Sequence, residues 1–242
     1  MLKYMRGEMY RLLHKKSMYI FFASLAVGYF IIIYIRSGGF TAESVVNDAI
    51  NLFFYLPMLA GGFLFAAIYT DDLNAKNLIS LVGFGLSKTK IVLSKLLLMT
   101  LSSTIFFGLM PLFHCAIFSM FGWTVTADAW TIIYAVSIQY LLTAIAFSVL
   151  SGIVVYGLQR TTFAVVLYIL LTFGIVSGLL TTGLNTFAPG LTKYLMSSIS
   201  GRIMTGIISG GALTAPIIEY IVYVAAASGL SALAFYKKEM EF

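Results

Sequence analysis

Apolar side chains at Leu2, Met5, Met9, Leu12 and Leu13 recur at intervals of three and four, while Lys3, Glu8, Arg11, His14 and Lys15 fall elsewhere around the wheel. That spacing predicts an amphipathic helix over residues 1–16, suited to lie on a charged membrane surface. Beyond it the pattern changes from periodic to continuous. Apolar runs at about 17–35, 51–69, 96–120, 130–156, 162–181 and 216–236 are each long enough to cross about 30 Å of hydrocarbon at about 1.5 Å per residue. The first run exceeds the apolar core of a secretory signal and reads as an uncleaved span. Connections between runs are short, and no segment carries the alternating pattern of a folded extramembrane domain. The expectation is an all-α integral membrane protein, a single transmembrane domain over 1–242 with six spans.

Composition agrees: 60% of the 242 residues are hydrophobic and 10% charged, whereas a soluble domain carries about 25% charge. The net charge of +6 does not indicate nucleic acid, because its meaning depends on position. With six spans and both termini in the cytoplasm, twelve of the fifteen cations fall inside, leaving Arg36, Lys193 and Arg202 outside. Five acidic residues fall inside and four outside, so cations carry the bias, as the positive-inside rule requires. A seventh span through the Gly- and Ser-rich stretch 187–212 would carry Lys237 and Lys238 outside. That stretch therefore reads as an outer re-entrant or interfacial element between the fifth and sixth spans, whose backbone needs protein or water as partner. The predicted location is the cell membrane.

The polar minority concentrates at 70–95. Asp71 and Asp72 stand where carboxylates favour a helix start, a short helix is predicted over about Leu73 to Val82, and Gly83 and Gly85 end it. Ser87 is placed to cap a helix that carries Lys88, Lys90 and Lys95 into the third span. Leu78, Ile79, Leu81 and Val82 on the short helix form an apolar patch that wants a partner.

The pattern Tyr69-x-Asp71-Asp72, Lys76-Asn77-Leu78 and Gly85-x-Ser87-Lys88-x-Lys90-Ile91-x-Leu93-x-Lys95 resembles the permease subunits of type-2 ATP-binding-cassette (ABC) transporters. The surface helix, six spans and outer re-entrant element resemble the same family. Leu73-Asn74-Ala75 departs from the family's usual Asn-Gly-Thr-like turn, and Lys88 stands where Arg is common. The resemblance implies a coupling helix at about Asp72 to Val82 that docks on a separate ATPase subunit. Lys76 and Asn77 would make polar contacts there, Leu78, Leu81 and Val82 would pack, and Gly85, Ser87 and Lys88 would form the turn behind. Arg6, Arg11 and Lys15 of the surface helix would flank the same partner. It further implies an exporter in which two copies, or this chain and a homologous permease, pair with two ATPase subunits. Those subunits, not this chain, would bind ATP and Mg.

The chain's own residues fit no ATPase: Gly83-Phe84-Gly85-Leu86-Ser87-Lys88 lacks the spacing of a phosphate-binding loop. With histidines only at positions 14 and 114 no His-Glu-x-x-His zinc site forms, and lone Cys115 forms no internal disulfide. Gly174/Gly178 and Gly206/Gly210 lie beside serines but suit close helix packing better than catalysis. The chain is not expected to be an enzyme. His114, Gln139 and Glu219 are the polar groups within the spans and are candidates for a pathway or outer gate. Glu219, near the outer interface, also suits a structural pair with Arg202 or Lys193. Spans rich in Phe, Tyr, Met and Leu suit an apolar or amphipathic cargo such as an antimicrobial peptide. Two alternatives stand beside the exporter. One is a non-transporting scaffold or sensor, which has no need of a docking helix. The other is a secondary transporter, which would place carboxylates near the midplane.

Overall fold

The computed structural model describes residues 2–37, 41–74, 81–83 and 85–237, and these are about 89% helical with no strand. Helix α1, Leu2–Leu13, is followed by a tight elbow and α2, Lys16–Arg36. Next come α3, Ala42–Phe53, a π-helical turn Pro57–Gly61, and α4, Gly62–Asn74. Helices α5, Lys88–Met120, and α6, Ala127–Leu158, are the longest. Then follow α7, Thr161–Thr172, α8, Ile175–Phe187, a 3-10 turn Pro189–Tyr194, α9, Met196–Ser209, and α10, Thr214–Lys237.

Among the described residues, Lys16–Arg36, Glu43–Thr70, Lys88–Met120, Ala127–Leu158 and Thr214–Lys237 are long and apolar enough to cross a membrane. The pair α7 and α8, bent by 60°, makes a sixth if it is counted as one span. The chain is thus a helical membrane protein.

Three boundaries differ from the sequence reading. The second span does not begin at 51: it is helical from Ala42, because Ser44 Oγ accepts the Thr41 backbone N–H at 3.1 Å and the face Val45, Ala49 and Phe53 is buried. The apolar run expected at about 162–181 breaks at Gly174, whose φ of +82° only glycine adopts readily, and α8 then runs on to Phe187. Asp71 and Asp72 do not start a new helix, since α4 continues through them to Asn74. An apolar run immediately upstream makes continuation easier than a fresh nucleation.

Helix α6 is the centre of the bundle and packs against α3, α5, α7, α9 and α10. Its buried positions include Ala135, Ser137, Ala144, Ala146, Ser148, Ser151 and Gly152, small groups that let neighbouring backbones approach. Hydrogen bonds reinforce these contacts: Ser137 donates to the Phe107 carbonyl of α5 at 2.5 Å, and Ser231 and Tyr220 of α10 donate to the Val149 and Leu142 carbonyls at 3.2 and 3.1 Å. Among the described residues, packing separates into two buried clusters. One joins Leu12, Phe65, Tyr69, Ile91, Tyr156, Tyr168 and Phe235; the other joins Tyr29, Ile33, Val45, Phe53, Phe118 and Ile133. The first therefore lies where α1 ends, α5 begins and α10 ends, and the described residues of the 70–95 segment belong to that end.

Candidate functional site

The end of the bundle that holds the first cluster also holds most of the residues singled out in the sequence. Residues 81–83 form a last helical turn. The Gly85 N–H donates to the Val82 carbonyl at 2.9 Å and the Leu86 N–H to the Leu81 carbonyl at 3.1 Å, with Gly85 at φ +83°. This is a Schellman stop, which satisfies carbonyls that a helix end leaves without partners. Two residues on, Ser87 caps α5 by accepting the Lys90 backbone N–H at 3.4 Å. The stop and the new start expected at Gly85 and Ser87 are therefore both present. Lys76, Asn77 and Leu78 lie outside the described residues, as does most of the proposed coupling helix.

Leu81 and Val82 are half-buried against the protein's own first cluster, so only part of their surface faces away from the bundle. Lys88 donates to the Tyr236 carbonyl at 3.4 Å and stands over the Phe235 ring, 5.3 Å from its centre. A cation at the last carbonyls of α10 complements the negative end of that helix. Rings continue inward from Phe235 to Tyr156, Tyr69, Phe65 and Tyr168.

Lys95, which closes the loop pattern and counts among the inside cations, is fully buried. Its Nζ donates to Glu8 at 2.6 Å and to the Ile68 carbonyl at 3.0 Å, and Arg11 donates to the same Glu8 at 2.7 Å. One carboxylate thus ties α1 to α5, beside the end of α4. The burial of Lys95, though not its partner 87 positions away, is legible in the sequence. Lys95 shares a helix face with Ile91, Val92, Leu98 and Met99, and Glu8 is the only acid before Glu43. Arg6 points to solvent, whereas Arg11 turns to Glu8 and Lys15 is half-buried at the elbow.

The polar groups of the spans do not converge. His114 is fully buried between α2, α3 and α5. Its Nε2 lies 2.8 Å from the Val45 carbonyl, which only accepts, so that nitrogen carries hydrogen, and Nδ1 accepts from the Tyr29 hydroxyl at 2.6 Å. A neutral imidazole meets both demands, and the ring acts as a three-helix tie. Arg36 pairs with Asp48 nearby on the same two helices, α2 and α3. Gln139 is half-buried on α6. Glu219 of α10 pairs with Arg202 of α9, and Arg202 also donates to the Lys193 carbonyl at 3.0 Å. Both partners of that pair keep substantial exposure, 39% for Arg202 and 29% for Glu219. Glu219→Gln is accordingly expected to lower stability by less than about 1 kcal/mol, readable as an apparent Tm nearly unchanged in detergent micelles.

No group of three or more His, Cys, Asp or Glu able to hold a metal occurs among the described residues. No protein-family model matches the chain, and no curated protein or solved structure is significantly similar to it.

Proposed function

We propose that this chain is the membrane subunit of an ABC exporter, driven by a separate ATPase that docks on the 70–95 segment. The observation that supports this most is the interlock behind that segment. The Schellman stop at Gly85 and the Ser87 cap feed directly into the 33-residue helix α5, and Lys88 and Lys95 clamp the start of α5 to α10 and α1. A push delivered at the loop reaches one continuous helix that, at about 1.5 Å per residue, spans roughly 50 Å. A scaffold has no use for such a link.

On this reading Lys76, Asn77 and Leu78, with the outward parts of Leu81 and Val82, meet the ATPase, and the exposed Arg6 flanks it. Asp72 stands on the approach to that contact. ATP and Mg belong to the ATPase dimer, while a second copy or a homologous permease completes the membrane part. Both termini are cytoplasmic, and the cargo is a hydrophobic or amphipathic molecule such as an antimicrobial peptide. Leu78→Asp combined with Lys76→Glu is expected to weaken co-purification with the proposed ATPase subunit by roughly 30-fold, the loss of about 2 kcal/mol that a contact hot spot carries. Wild-type recovery of the ATPase by this variant overturns the coupling role.

A further inference from the structure

The second cluster holds a titratable group that the transport reading does not use. His114 is fully buried, its Nε2 donating to the Val45 carbonyl of α3 at 2.8 Å and its Nδ1 accepting from the Tyr29 hydroxyl of α2 at 2.6 Å. One donor and one acceptor on opposite sides of the ring require the neutral form. An added proton turns Nδ1 into a donor, so the Tyr29 hydroxyl must point its hydrogen elsewhere. The rings of Phe53 and Phe113 stand beside Tyr29 and offer no strong acceptor, and a buried donor without a partner is disfavoured. The charge itself would also be buried, in a cluster built from Ile33, Val45, Phe53 and Phe118.

Charged and titratable neighbours come from each element packed there. Helix α2 brings Tyr29 and Arg36, α3 brings Asp48, with Glu43 exposed at its start, α5 itself brings Cys115, and α6 brings the half-buried Tyr140. Asp48 favours a charged ring, but Arg36 already pairs with it. Ring contacts of Phe21 and Phe22 with Phe63 and Phe106 hold the first half of α2. In its second half only Tyr29 and Ile33 are buried, and the Tyr29 hydroxyl is a polar link to α5. Glutamine or asparagine would tie the same helices at every pH, whereas histidine titrates near neutrality. We propose that the Tyr29–His114–Val45 tie is an acid-released latch, freeing the α2–α3 pair from α5 when His114 takes up a proton. The latch sits at the end of the bundle opposite the 70–95 segment and does not depend on the transport reading.

The reporter for the test is Cys115, buried beside His114 in the same cluster. The full chain in micelles is labelled with dithiodipyridine from about pH 7.5 to about pH 4.5, either side of the ordinary histidine pKa. Each rate is divided by that of His114→Gln at the same pH, which cancels the pH dependence of the thiol and the reagent. The closed tie excludes the proton and the released ring takes it up near pH 6.5, so the ratio is expected to rise about tenfold for each pH unit below that value. His114→Asn serves in place of the glutamine variant should that fail to fold. The chain carrying Cys115→Ala and Ala164→Cys, a fully buried position of the first cluster, is expected to show no such rise. A flat ratio at Cys115 overturns the proposal. So does an equal rise at position 164, which would make the histidine a determinant of overall stability and not a latch.

Discussion

Replacing Glu8 by leucine is expected to destabilise the protein by about 3–5 kcal/mol, whereas Lys95→Met is expected to cost much less. The two side chains form one ion pair at 2.6 Å, but their surroundings differ. Lys95 keeps 2% of its side-chain exposure and Glu8 keeps 14%. Removing Glu8 takes a carboxylate at 2.6 Å away from a buried ammonium, and breaking a buried pair from one side carries a penalty of this size. Removing Lys95 leaves Glu8 with Arg11 and with access to water, while methionine fills the volume of the lysine stem among Ile91, Val92 and Met99. The double variant Glu8→Leu with Lys95→Met is expected to recover most of the loss, since two apolar groups can replace a buried pair at little cost. Thermal unfolding in micelles reads the cycle: at about 2–4 °C per kcal/mol for a chain of this length, Glu8→Leu lowers Tm by roughly 10 °C. Equal losses from the two single variants would show that the pair is solvated and does not hold α1 against α5.

That pair also shows where the sequence is readable and where it is not. Continuous apolar runs and the polar breaks between them locate the spans at once, because lipid tolerates few alternatives to a 20-residue apolar helix. Local chemistry is equally legible: Gly85 and Ser87 stop and restart the chain through short-range hydrogen bonds whose donors and acceptors all lie within six residues. What the sequence conceals is long-range pairing. Glu8 and Lys95 are 87 positions apart, and Tyr29 and His114 are 85 apart. Positional counting places Lys95 among the cytoplasmic cations, and the structure makes it a buried tie. The bend at Gly174 is concealed for another reason, since glycine in an apolar helix is common and only tertiary packing decides whether it adopts a positive φ. The polar contacts proposed for Lys76 and Asn77 rest on the loop's pattern alone. The half-buried Leu81 and Val82 narrow the patch that pattern leaves for a partner.

At the π-helical turn, Gly61→Ala is expected to lower stability by about 2–6 kcal/mol, and Tyr168→Phe to remove about half of that penalty. Pro57 opens the turn and has no N–H, so the helix ladder is interrupted there inside a span. Tyr168, fully buried on α7, reaches across and donates its hydroxyl to the Pro57 carbonyl at 3.0 Å. The hydroxyl occupies the space next to the Gly61 Cα, where an added Cβ would overlap it. Alanine at 61 therefore forces the ring outward, which adds overpacking strain of about 1–3 kcal/mol. It also withdraws a donor from a buried carbonyl, worth about 1–3 kcal/mol more. Phenylalanine at 168 gives up the hydrogen bond but clears the overlap. The nearest remaining atoms to the new Cβ would be the ring carbon Cζ and the Ala144 Cβ, both at 3.4 Å, a distance a small shift absorbs. The double variant should thus cost about as much as Tyr168→Phe alone, near 1–3 kcal/mol, and the cycle should show a large favourable coupling. Simple addition of the two single penalties in thermal unfolding would mean that the hydroxyl and Gly61 do not share that space. The π turn would then owe its shape to Pro57 and not to the tyrosine wedged against it.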